Sequence, residues 1–336
     1  MKRMGFSEAI DDALAAAMAE DERIVIFGED VHTIRRNLLV RFGEERVRAA
    51  PISESAFVGA AVAAAMAGLR PVVEVMLVDF IGTAMDALLN HAAKIDAFSG
   101  GKWSAPLVVR SACGGGYGDG GQHEQCLWGW LAHIPGLAVT VPSTPADAGG
   151  LMAAALRHPG PVVYLEHKLL SATWLEFLGK GGRKTVRFDV PAGGARGQVP
   201  GRWAPIPIGK AAVVRSGTDV SLLSVAVGVH RCLQAADALQ GKGISAEVLD
   251  IRTVSPLDTE TIRESADRTG RVVVVDEDYE GFGLSGEVAA VLLESRFRGL
   301  YARVCTKGTI PYSRALEDAM LPSTAKIVEA VEHLVR

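Results

Sequence analysis

An alternation of short strand-like and longer helix-like segments constrains this chain more than any other feature. From residue 20 to residue 167, β-branched runs (RIVIF, PVVEVML, LVVRS, LAVTVP, VVYLE) are separated by helical patterns: AFVGAAVAAAMAGL, a helix over 81–98, one near 122–133 and one near 145–157. Strands spaced by helices pair in parallel through crossovers, so the fold class is α/β, a mainly parallel sheet with helices on both faces. The rhythm returns as DVSLLSVA, a helix near 230–240, AEVLDI, a helix near 258–268, RVVVVDE, a helix near 284–295 and ARVCT. Two such sets predict two domains, and 336 residues are enough for both. Between them GKGGRK, PAGGARGQVPG and PIPIG read as a Gly/Pro/basic connection with a surface excursion. The expected division is 1–178, a connection over 179–208, and 209–336.

Composition excludes several classes. Apolar residues make up 49% and charged residues 22%, which rules out a disordered chain. Basic residues number 35 against 39 acidic ones, a formal charge of -4, so no basic footprint points to nucleic acid. The longest nearly uninterrupted apolar run, Ala56 to Leu69, has 14 residues and falls short of the ~20 that cross a bilayer, so no membrane span is expected. The amino terminus has no apolar core ending in a cleavage site. Cys113, Cys126, Cys232 and Cys305 stand singly, without a CxxC pair or zinc-like spacing, and a reduced, cytoplasmic protein is expected.

Ligands of open parallel sheets sit outside the carboxyl ends of the strands, which singles out three places. Gly28-Glu29-Asp30 follows RIVIF and puts two acids at a strand exit, where a polar turn with a helix cap is the plain alternative. Glu54 opens a helix whose next residues offer no partner charge and which, apolar on all faces, is expected to be buried. It either complements the helix dipole or serves as a ligand-binding acid. The third place is the glycine-rich loop 114–121, which leads to His123. Gly116, Gly118 and Gly121 formally match GxGxxG, but LAVTVP ends at Ser143 and Thr144 without the acid that should hold a ribose. Gly118-Asp119-Gly120 likewise suggests a diphosphate-metal motif, yet the chain's asparagines, Asn37 and Asn90, both lie upstream. His123, at the expected entry of a helix, is either structural or catalytic; in the second case the positive helix end favours its neutral ring.

These segments together resemble the beta subunit of the thiamine-diphosphate-dependent 2-oxo acid dehydrogenases, the pyruvate, branched-chain and acetoin family. The resemblance covers nearly the whole chain. It rests on FGED at 27–30, PISESAFVGAAVAAAMAGLRPVVEVMLVDF at 51–80, GGQHEQ at 120–125, HIPGLAVTVPSTPADAGGL at 133–151 and GPVVYLEHKLL at 160–170. LDIRTVSPLD at 249–258, TGRVVVVDE at 269–277 and PYSRALEDAMLPS at 311–323 carry it through the second domain.

The resemblance implies two transketolase-like domains, with thiamine diphosphate shared between subunits and the diphosphate and magnesium held by an alpha subunit in an α2β2 assembly. It implies that Glu54 hydrogen-bonds the aminopyrimidine ring, that Phe80 stacks on it, that Glu29 lines the same pocket, and that His123 is the active-site histidine. A carboxylate beside that ring promotes formation of the reactive carbanion, and a histidine can move protons as an acyl group passes to a lipoyl arm of an acyltransferase core. The implied activity is decarboxylation of a 2-oxo acid. Acetoin or acyloin cleavage on the same scaffold and a catalytically silent assembly subunit are the rivals.

The chain departs from the family in four places. Only 11 residues separate Asp30 from Phe42, where relatives commonly carry a longer glycine-rich loop, and the connection at 179–205 is long and basic. Lys307-Gly308 replaces a His-Thr-Pro type loop. His158-Pro159 stands where relatives often carry acidic or amide residues near a structural potassium ion, so the resemblance does not carry that ion over.

Overall fold

The computed structural model describes residues 1–179 and 190–335. Fourteen strands run through the described residues: β1 Lys2–Gly5, β2 Ile24–Gly28, β3 Val47–Ala49, β4 Arg70–Leu77, β5 Val108–Cys113, β6 Ala138–Thr140, β7 Val162–His167, β8 Arg196–Val199, β9 Ala212–Arg215, β10 Val220–Ser224, β11 Ala246–Asp250, β12 Thr253–Ser255, β13 Arg271–Tyr279 and β14 Leu300–Thr306. They form a seven-stranded sheet in the order β12-β6-β7-β5-β4-β2-β3, a five-stranded sheet in the order β14-β13-β10-β11-β9, and the small pair β1-β8. The two large sheets are parallel except for their edge strands β12 and β9. Strand runs such as VVYLEH and VSLLS are buried on both faces, as parallel strands under helices must be.

The halves interlock. β12 leaves the second half and adds antiparallel to β6 at the edge of the first sheet, with Thr253 opposite Thr140. The Val141 N–H donates to the Arg252 carbonyl at 2.7 Å, and Arg252 pairs with Asp147 at 2.6 Å. Val139, Val163, Leu223, Leu249 and Val274, from both sheets, share one apolar core.

Four local expectations are corrected. The expected helix over 81–98 is broken into a 3₁₀ turn, Val78–Ala84, a π-helical turn, Ala87–Ala92, and a short helix, Ile95–Phe98. The expected helix near 122–133 is confined to Trp128–Ala132, because Leu127 adopts a left-handed φ of 49° just before it. The helix Glu54–Met66 is not buried all round: Ser55, Ala56, Ala60, Ala63 and Met66 are exposed.

The fourth correction concerns the connection, of which residues 180–189 lie outside the described residues. Residues 190–208 are not a loose excursion. β8 pairs antiparallel with β1, and Trp203 lies over the helix Pro145–Ala155, where a Cβ on Gly149 would meet its ring at 2.2 Å. The indole N–H of Trp203 donates to Asp12 at 2.7 Å. Glycine here makes room for an aromatic side chain, which a Gly/Pro count cannot show.

Candidate functional site

Parallel pairing brings the ends of β2, β4, β5 and β7 to one edge of the sheet, and every expected site residue lies there. β2 must end on glycine, since a Cβ at Gly28 would come 2.2 Å from the Glu74 carbonyl oxygen of β4. The chain then turns at Asp30, φ 53°, and leaves Glu29 partly exposed at the strand exit. Burial, then Asp30 and Glu54, raise the Glu29 carboxyl above its ordinary value. Glu54 thus lies within electrostatic reach of Glu29.

Glu54 is the first residue of its helix, where its charge complements the N-terminal end. It is 8% exposed, and its Oε2 accepts the Thr83 hydroxyl at 3.4 Å. The same hydroxyl donates to the Phe80 carbonyl at 2.9 Å, which ties the acid to the turn carrying Phe80. The Phe80 and His123 rings meet edge to face, centroids 5.8 Å apart. Glu29, Glu54, Phe80 and His123 thus come together, although 94 positions separate the first from the last.

Several neighbours carried no signal in the sequence. Gln125 donates from Nε2 to Asp79 Oδ1 at 2.7 Å and accepts the Tyr279 hydroxyl at 2.9 Å. Asp79 Oδ2 is buried with no hydrogen-bond partner among the described residues. Lys168 donates to the His123 carbonyl and lies 5.1 Å from the Tyr117 ring centroid. Burial lowers the Lys168 ammonium, against Glu124, Asp79, Cys113 and Asp119, which raise it. His123 itself sits in a turn ahead of Trp128–Ala132, not at a helix entry, so the helix-end argument for its neutral form does not apply.

The glycine-rich loop holds the chain's own acids. Glu317 accepts the N–H groups of Gly116 at 2.5 Å, Tyr117 at 3.2 Å and Gly118 at 2.9 Å. Glu124 accepts those of Tyr117 at 2.7 Å and Gly120 at 2.9 Å, and Glu277 that of Gly115 at 2.8 Å. Backbone N–H groups converging in this way make an anion cradle, and here carboxylates fill it. A diphosphate does not fit the loop as it stands.

A family model for the transketolase pyrimidine-binding domain matches residues 2–172, and one for the transketolase C-terminal domain matches 209–327. Over its full length the chain is 36% identical to the beta subunit of acetoin:2,6-dichlorophenolindophenol oxidoreductase of Cupriavidus necator, covering 98% of that protein. The chain belongs to the transketolase-like beta-subunit family of the 2-oxo acid and acetoin dehydrogenases. Family relatives from Bacillus subtilis include the beta subunits of the pyruvate dehydrogenase E1 component and of 2-oxoisovalerate dehydrogenase. Each is 36% identical; the alignments cover 100% and 99% of this chain and 99% of each relative. A solved split-gene transketolase described as an inactive beta4 tetramer has the same fold, with a TM-score of 0.78 at 22% identity, over 99% of this chain and 98% of that one.

The residues present fit one end of thiamine diphosphate. A buried carboxylate, a partly exposed aromatic ring and a second acid at the strand exits match the hydrogen-bonding edge and flat face of an aminopyrimidine. No cluster of three or more His, Cys, Asp or Glu with metal-holding geometry occurs among the described residues. Potassium does not fit at His158. Arg70 Nη1 donates to the carbonyl oxygens of Leu156 at 2.9 Å and His158 at 3.4 Å, so a guanidinium already neutralises these acceptors.

Proposed function

We propose that the chain supplies the pyrimidine-binding half of an active site shared with a separate alpha subunit, in an α2β2 enzyme that decarboxylates a 2-oxo acid and passes the acyl group to a lipoyl arm. The observation that carries this reading is the pairing of an acid tied to an aromatic turn, Glu54 with Phe80 through Thr83, with a glycine cradle closed by Glu317 and Glu124. One end of the cofactor is provided for and the other is not. The alpha subunit holds the diphosphate and magnesium. The exposed face of the helix Glu54–Met66, directly behind Glu54, offers an apolar surface to a partner.

Thiamine diphosphate, when bound, supplies a carbon nucleophile for the substrate carbonyl and a sink for the electrons released with carbon dioxide. Glu54, with one carboxylate oxygen held by Thr83, would offer its other oxygen to the hydrogen-bonding edge of the pyrimidine ring. Phe80 stacks on the ring, and Glu29 keeps the opening acidic. His123, its carbonyl held by Lys168 and its ring braced by Phe80, moves a proton at the substrate oxygen or the lipoyl sulfur. The free, buried state of all four cysteines suits a reducing, cytoplasmic setting, and no described helix is long and apolar enough to cross a membrane. Docking to an acyltransferase core belongs to the same reading, as do domain boundaries at 178 and 209.

Titration calorimetry with thiamine diphosphate and magnesium tests the split site. Weak binding by the chain alone and tight binding after addition of the alpha subunit are expected; tight binding by the chain alone refutes the reading. A screen of 2-oxo acids and acetoin with an artificial electron acceptor then identifies the substrate.

A further inference from the structure

The loop that presents His123 is held from the other half of the chain. Its neck is closed by the Gly114 N–H donating to the Gln125 carbonyl at 3.0 Å. Beyond the neck, N–H groups of the loop point to Glu277 on β13, to the Ile310 carbonyl and to Glu317 on the helix Arg314–Met320. Glu317 is fully buried, and Arg314 pairs with it at 2.8 Å. Its Oε1 and that of Glu124, the residue next to His123, both accept the Tyr117 N–H, at 3.2 and 2.7 Å.

We propose that Glu317 is a positioning residue for the reaction: through the glycine cradle and Glu124 it sets where the His123 imidazole stands against Phe80. The proposal rests on the shared-site reading for its link to turnover, but not for its geometry. Two carboxyls that take the same N–H lie close together, and the negative charge of one disfavours charge on the other. In agreement, burial and then Glu317 push Glu124 up to about 8, with Lys168 and the Tyr117 N–H pulling it down. The loop is capped by acceptors on both sides, Glu277 and Glu317 from the second half and Glu124 from its own end. A catalytic group displaced by about 1 Å loses on the order of 10²-fold in rate, so an anchor more than ten residues from any reacting atom in the sequence can still govern turnover.

The test uses the full chain assembled with its alpha subunit, as wild type, Glu317→Gln and Glu317→Ala, with ¹³C-labelled histidine and His123→Ala to assign the ring signals. Glu317→Gln keeps the side-chain length but turns one acceptor oxygen into a donor facing the Gly118 N–H and Arg314. We expect the His123 ring signals and their titration midpoint to move without substrate present. We also expect kcat to fall by roughly 10–100-fold with KM nearly unchanged. Unchanged His123 signals and midpoint in the folded variants overturn the proposal, whatever the substrate proves to be. If Glu317→Ala does not fold, Glu317→Gln decides alone. If Glu317→Gln also fails to fold, Glu317 is a folding residue and the positioning role is rejected. Moved His123 signals with no turnover on any 2-oxo acid or acetoin, in wild type as well, leave the positioning geometry standing and count against the proposed function instead.

Discussion

Arg35 and Glu74 form a fully buried two-bond pair, Nε to Oε1 at 2.8 Å and Nη2 to Oε2 at 3.0 Å. Around them lie Arg110, which meets Asp11 at 2.8 Å and Glu166 at 2.9 Å, and Trp174, whose indole N–H caps Glu166 at 2.5 Å. Three carboxylates thus surround two guanidiniums beneath the sheet edge that bears the site. Arg35 comes from the short segment after Asp30, so that segment has a structural task its length alone does not suggest.

Replacing Arg35 by Met leaves Glu74 and Glu166 buried without one of their cations. Breaking a buried pair from one side costs about 3–5 kcal/mol. Urea denaturation followed by tryptophan fluorescence should show a loss of that order, and a change below about 1 kcal/mol would contradict the network's role.

Glu54→Gln should leave melting and assembly close to wild type, because the amide keeps the hydrogen bond with Thr83 and the helix start. Turnover should drop by at least about 10²-fold, the usual contribution of a positioned acid–base group. Hydrogen exchange at the thiazolium carbon, followed by proton NMR in the assembled enzyme, reads the step directly, and an unchanged exchange rate would return Glu54 to the role of a helix-start carboxylate.

Stability should fall as pH rises from about 5 to about 8.5. Burial, then Glu317, holds Glu124 up to about 8, and burial with Asp147 and Asp278 holds Asp250 and Asp276 up to about 7. In the unfolded chain these carboxyls titrate near ~4, so over this window the folded state carries protons that the unfolded state has lost, and their contribution fades as pH rises through the folded values. Glu277 has the opposite sign: burial opposes its charge, but His167, Arg231 and the Gly115 N–H prevail and bring it to about 2. Its contribution is lost only as pH falls from about 4.5 toward 2. Melting curves across pH should show the alkaline decline, and Glu124→Gln should flatten its upper part; an equal slope in the variant would count against Glu124 as a source.

Arg70 should make the fold indifferent to potassium. Melting temperatures in potassium and tetramethylammonium chloride at equal ionic strength should coincide for wild type, while Arg70→Gln, which frees the Leu156 and His158 carbonyl oxygens, should melt lower. A potassium-dependent melting temperature in the wild type would show that the guanidinium does not replace the ion.

Legibility in the sequence followed the range of the interaction. Parallel strands such as VVYLE and RVVVVDE could be read because burial on both faces imposes continuous apolar runs, and Glu54 could be read because a helix start leaves a sequence mark. The irregular stretch 78–98 could not, because its turns are chosen by packing under the helix Glu54–Met66 and not by local propensity.

The sequence by itself determined the α/β class and the two sets of strands and helices, since periodicity specifies those, and strand exits singled out Glu29, Glu54 and His123 as candidates, whereas Phe80 entered only through the family resemblance. Only the tertiary structure decided that the glycine loop is an occupied cradle, that Glu317 reaches it from some 200 residues away, and that Arg35 and Arg110 are buried among acids. Such contacts depend on which strand ends the parallel sheet brings together, and a carboxylate paired across the fold looks, along the chain, like any surface glutamate.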